Sequence, residues 1–207
     1  MAKRQQARDE RMRERLIQEA ARIMAEQGVR DFQLAKRKAA DRLGARDTRN
    51  LPQNREIQAA LRDYQRLFGG AAQKERLRSL REAAVEAMEF FAAFRPRLVG
   101  DVLDGTAGEF SDVHLHVFVD TPEEVALFLM EHDIPFDTDE RRFRFGDEYV
   151  FLPVYRFVAG DARFDLSVFD LRGLRQPPHS RVDGQPMTRA AVDDVRRLLA
   201  TPVADEL

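Results

Sequence analysis

The stretch Ser111-Asp112-Val113-His114-Leu115-His116-Val117-Phe118-Val119 alternates polar and apolar residues at its start and turns apolar at its end. Successive side chains of a strand leave opposite faces. Asp112, His114 and His116 therefore point one way, and Val113, Leu115 and Val117 point the other. The pattern predicts a strand over 112–119 with one face for a core and one carrying three potential metal ligands. Before it, Leu98-Val99-Gly100-Asp101-Val102-Leu103-Asp104-Gly105-Thr106-Ala107-Gly108 reads as a glycine-containing loop entered from a helix that stops at Pro96.

Downstream, Thr121-Pro122-Glu123-Glu124 is an N-cap with proline and acids in the first turn, and opens a helix to about His132. His132 is placed to serve as a C-terminal cap, and His179, in a loop, is given no role. Strands are expected near 142–145 and 148–158, with Gly146-Asp147 turning between them, and again at 163–169 after Gly160-Asp161. A proline-rich loop over 172–187 precedes a last helix from Thr188 to Ala200. The aromatics Phe143, Phe145, Tyr149, Phe151, Tyr155, Phe157, Phe164 and Phe169 are expected to build the sheet core against the 123–132 and 188–200 helices.

Upstream the period is helical. Helices are expected over 7–27 (Leu16, Ala20, Ile23 and Met24 inward), 33–43 (Leu34, Ala35, Lys38, Ala39 and Leu43 on one stripe), 54–68 (Ile57, Leu61, Tyr64, Leu67, Phe68) and 72–94 (Leu77, Leu80, Ala84, Met88, Phe91). The fold class read from this order is α+β: an N-terminal helical region, then a mixed sheet with flanking helices. The expected divisions are a basic helical region over 1–70, a connecting helix over 71–96 and an α/β domain over 97–207.

Composition sets the outer bounds. The 207 residues hold 43% hydrophobic and 34% charged side chains and no cysteine, which excludes a disulfide framework, thiolate zinc sites and a cysteine nucleophile. No apolar run approaches the ~20 residues of a membrane span, and the N-terminus lacks the apolar stretch of a signal peptide. A cytoplasmic protein without a membrane partner is the expectation. The net charge of −2 conceals an asymmetry: residues 1–70 carry 17 basic against 10 acidic side chains, and residues 71–207 carry 17 against 26. The basic half is a candidate for nucleic acid, with Lys36, Arg37, Lys38, Arg42, Arg46 and Arg49 as the phosphate-contacting cluster. With only Phe32 and Tyr64 beside it, duplex or structured RNA fits this cluster better than a stacked single strand.

The stretch 98–117 resembles the signature of the DNA polymerase β-type nucleotidyltransferase superfamily, above all its small bacterial members. Gly100 matches the first glycine of that signature and Gly105 the inner one. Ser111-Asp112-Val113 match its Ser-Asp-aliphatic triplet, and Asp165 in Phe164-Asp165-Leu166 fits its third carboxylate on a later strand. The resemblance covers about 98–170. It implies a nucleotidyltransferase-like sheet, a transferase activity on a nucleoside triphosphate, catalytic Asp112 and Asp165, and a nucleotide-binding loop of Gly100, Asp101, Gly105 and Ser111. Two positions depart from the pattern. Asp101 stands where the family has Ser, and His114 where it has the second Asp. Magnesium favours an all-oxygen shell, whereas an imidazole suits zinc or manganese better. The metal set implied is Asp112, His114, His116 and Asp165, holding a divalent Mg, Mn or Zn ion.

Residues 15–28 also resemble the first helix of tetracycline-repressor-type regulators, with 35–43 in the place of their helix-turn-helix. Leu43-Gly44-Ala45-Arg46 then runs into a polar, Pro52-containing stretch, so the recognition helix is missing or replaced. Several readings thus compete: a metal-dependent nucleotidyltransferase, a catalytically inactive and regulatory nucleotidyltransferase fold with a nucleic-acid-binding helical module, a DNA-binding regulator with an α/β ligand sensor, and a plain solvated sheet face.

Overall fold

The structure, a computed structural model, describes residues 2–45, 51–109 and 111–201. Arg46 and Arg49 of the basic cluster lie outside the described residues. The chain is α+β and divides into two units, Met1–Lys74 with Arg181–Gly184, and Glu75–Ser180 with Gln185–Leu207. Among the described residues no helix is long and apolar enough to cross a membrane.

The first unit contains α1 (Ala2–Gln27), α2 (Phe32–Arg42) and α3 (Asn54–Phe68). Leu16, Ile17, Ala20, Ala21 and Ile23 of α1 pack on Ala35, Ala39 and Ala40 of α2 and on Ile57, Ala60 and Leu61 of α3. The Asp31 carboxylate accepts the Leu34 N–H at 2.6 Å and fixes the start of α2. At α3 the Glu56 carboxylate accepts the Gln53 N–H at 2.7 Å. Arg13 of α1 grips that same carboxylate through both terminal nitrogens at 2.6 Å, which ties the cap to a second helix. The face that α2 buries differs from the expected stripe: Leu34 is exposed, and Lys36 is buried beside Ala35 and Ala39.

After α4 (Gly70–Phe90) the second unit forms a five-stranded mixed sheet. Its strands are β1 (Arg97–Val99), β2 (Val113–Val119), β3 (Asp137–Phe145), β4 (Glu148–Ala159) and β5 (Ala162–Asp170), in the order β1-β2-β5-β4-β3. Only β2 and β5 run parallel. Between them in sequence lies α6 (Glu123–Glu131), which follows the short α5 (Asp101–Asp104), and α7 (Val192–Ala200) closes the described chain. The alternation read in the sequence holds: Val113, Leu115 and Val117 are fully buried, in one cluster with Leu80, Ala84, Met88 and Phe91 of α4, Val125 and Leu129 of α6, and Val195 of α7. His132 caps α6 as expected, its Nδ1 lying 2.8 Å from the Phe128 carbonyl oxygen.

The last helix starts later than its periodicity suggests. Ala190 exchanges two backbone hydrogen bonds of 2.9 Å with Leu98, which keeps 188–191 extended and delays α7 to Val192. The aromatics also divide differently. Phe118, Phe143 and Phe169 form a separate cluster with Phe145 on the opposite face of the sheet, and Tyr149 and Phe151 are 56% and 62% exposed rather than in any core.

Candidate functional site

β1 ends at Gly100, whose φ of 74° and ψ of −153° belong to a region that only glycine adopts readily. A Cβ there would sit 3.5 Å from the His114 ring. α5 ends at Gly105 in the left-handed region, φ 79°. Arg81 of α4, half-buried, donates to the Val102 and Leu103 carbonyls and so satisfies the end of this short helix. Ser111 is buried and its Oγ accepts the Gly108 N–H at 3.0 Å. This hydroxyl closes the loop onto itself. Asp101 opens α5, and its carbonyl accepts the Thr106 N–H at 2.9 Å.

The parallel register of β2 and β5 sets His114 opposite Asp165 and His116 opposite Ser167. On the other side of β5, Arg156 of β4 is opposite Asp165. Asp165 is only 3% exposed. Arg141 of β3 reaches across β4 and donates to both its oxygens, at 2.9 and 2.6 Å. Arg156 Nε lies 3.4 Å from Oδ2, and His114 Nδ1 3.4 Å from Oδ1. Burial alone would raise the Asp165 pKa, but His114 and Arg141 outweigh it and bring the carboxyl down to about 2. Arg156 also bridges to Asp139 at 2.7 Å, and Arg163 Nε lies 2.8 Å from Asp112 Oδ1. Asp112, Asp139 and Asp165 are thus matched by Arg163, Arg156 and Arg141, respectively.

His116 faces a different environment. It is 2% exposed, with its ring centroid 4.4 Å from that of Phe169 and 5.6 Å from that of Phe143. Arg189 Nε donates to its Nδ1 at 3.0 Å, so the ring proton sits on Nε2. Burial first, and then the Arg189 charge, hold its pKa well below the ordinary imidazole value. Arg189 also donates to the Gly173 carbonyl at 2.5 Å and lies over the Phe118 and Phe169 rings, and burial takes its own pKa down to about 10. His116 is a core histidine serving an arginine.

The structure therefore brings Asp112, His114 and Asp165 together on one sheet face and buries His116 further along that face, among the aromatic cluster. As arranged, these residues do not fit a divalent ion. Both Asp165 oxygens are occupied by a bidentate guanidinium, and among the described residues no group of three or more His, Cys, Asp or Glu could hold a metal. The residues that sequence reasoning missed are Arg141, Arg156, Arg163 and Arg189. Arg156 interrupts the apolar run Val154-Tyr155-Phe157, and Arg163 precedes Asp165 by two; those are signals of a shared face, but only the register reveals their partners.

The described members of the basic cluster, Lys36, Arg37, Lys38 and Arg42, differ in burial and pairing. Lys36 is buried, and that burial lowers its pKa against the pull of the Glu56 charge. Lys38 Nζ donates to Gln27 at 3.2 Å, Arg42 pairs with Glu19 at 2.9 Å, and Arg37 is exposed. Comparison with family models, curated proteins and solved structures finds no match to this chain.

Proposed function

We propose that the second unit is a nucleotidyltransferase-like domain in which arginines have taken the place of the metal ions, so that it is catalytically silent and acts as a binding and regulatory module. One observation carries this reading: the Asp165 carboxylate, in the position of the third catalytic acid, is held through both oxygens by Arg141. The parallel pairing that seats His114 beside Asp165 supports the nucleotidyltransferase-like placement. The Arg163 pair at Asp112 supports the silent state. Two-metal nucleotidyl transfer needs oxygen ligands free on the acids. Here an ion would have to displace guanidiniums from charge-assisted pairs, and His114 offers it a nitrogen.

The basic excess of residues 1–70 makes nucleic acid the partner class that suits the helical unit, through its summed field rather than through a local patch. The test is label transfer from each of the four nucleoside triphosphates with Mg²⁺, Mn²⁺ or Zn²⁺. The expected result is no incorporation and no shift in melting temperature with ATP and metal. Metal-dependent incorporation that Asp112→Ala abolishes would overturn the proposal.

A further inference from the structure

The hairpin of β3 and β4 extends past the helices that cover the rest of its apolar face. On that face Tyr155 and Phe157 are buried, yet Tyr149 and Phe151, further along the same strand and the same side, are 56% and 62% exposed. The register sets Arg142 directly opposite Phe151 and Arg144 directly opposite Tyr149. The Arg142 guanidinium stacks over the Tyr149 ring at 4.5 Å. The acid of this row on β3, Glu140, stands at the inner end opposite Pro153, so this face sets Arg142 and Arg144 beside the two rings, with the acids Asp147 and Glu148 beyond them at the turn. Tyr149 and Phe151 are two residues apart on the same side of the strand, about 6.6 Å along it, with the Arg142 guanidinium over one face of the Tyr149 ring.

We infer that this outer hairpin face binds single-stranded nucleic acid, with Tyr149 and Phe151 stacking on successive bases and Arg142 and Arg144 meeting the phosphates. Exposed rings offer every base a stacking surface, and adjacent arginines supply the backbone charge. An apolar protein partner would have to desolvate Arg142 and Arg144 beside the rings. A nucleic acid matches rings with bases and guanidiniums with phosphates, which is why this ligand is favoured. The inference rests on the hairpin alone and does not depend on whether the Asp165 site is silent.

The test is fluorescence anisotropy of the full chain with short labelled single strands, DNA and RNA, against the matching duplex. Binding is expected to favour the single strand and to weaken as salt rises. Tyr149→Ala with Phe151→Ala should cost about tenfold or more in affinity, with the circular dichroism unchanged because both rings are exposed. Tyr149→Phe should bind normally, since a ring remains. Charge reversal at Arg37 in the helical unit should leave the loss caused by the double variant intact. No saturable binding, equal binding of duplex, or full affinity in the double variant would overturn the inference. So would self-association seen by light scattering that the double variant removes, which would assign the face to a second copy.

Discussion

Arg141 supplies to Asp165 what a cation would supply, two directed contacts of opposite charge. Removing it leaves a carboxylate that is 3% exposed with only His114 and Arg156 nearby, both at 3.4 Å. Arg141→Ala should cost about 2 kcal/mol in urea unfolding, less than the ~3–5 kcal/mol of a fully buried pair because the arginine is partly exposed. The Asp165 pKa has a definite sign in acid. A carboxyl lowered from 3.8 to about 2 adds stability that is present above about pH 4 and lost as pH falls toward 2. Asp165→Asn should remove that part of the acid transition. His116 acts at higher pH. Its folded pKa is depressed, so the unfolded chain binds the proton first and stability falls as pH drops below about 6.5. The slope, up to about 1.4 kcal/mol per pH unit, should flatten in His116→Gln when unfolding midpoints are compared at pH 7 and below pH 6.

Strand β2 was legible because its alternation is local: the faces of Val113, Leu115 and Val117 follow from period two alone. β1 was not. Its three residues pair with His114, Leu115 and His116 on one side, while Leu98 pairs with Ala190 on the other, and nothing in the local pattern announces such distant partners. The same non-local pairing explains the late start of α7. At the candidate site the acids and histidines were readable from spacing, whereas Arg141 is brought to Asp165 only by the order β5-β4-β3. The aromatic run misled for a related reason: the rings are of one kind in sequence, but the hairpin carries Tyr149 and Phe151 beyond the core. The turn from β1 into α5 depends on one backbone conformation. Gly100→Ala, at φ 74° and ψ −153°, should cost about 1–3 kcal/mol and lower the melting temperature without any loss of side-chain contacts.

Across the whole chain, each unit has its own buried cluster, one centred on Leu16, Ala39 and Ile57 and the other on Leu80, Leu115 and Leu166. Damage to one should therefore be felt locally. In Ile57→Ala, amides of α1 and α3 should exchange faster while those of β2 and β5 keep their protection. The charge is divided along the same lines, with the basic excess in residues 1–70 and the acidic excess in the remainder. In the sheet unit that acidity is answered at Asp112, Asp139 and Asp165 by arginines of the same face. The claim that guanidiniums stand in for metal at Asp165 is tested most directly by calorimetric titration of the intact protein with Mn²⁺, with and without ATP. The arginine-closed site predicts no saturable binding under either condition. Stoichiometric Mn²⁺ binding that Asp165→Asn abolishes would contradict it.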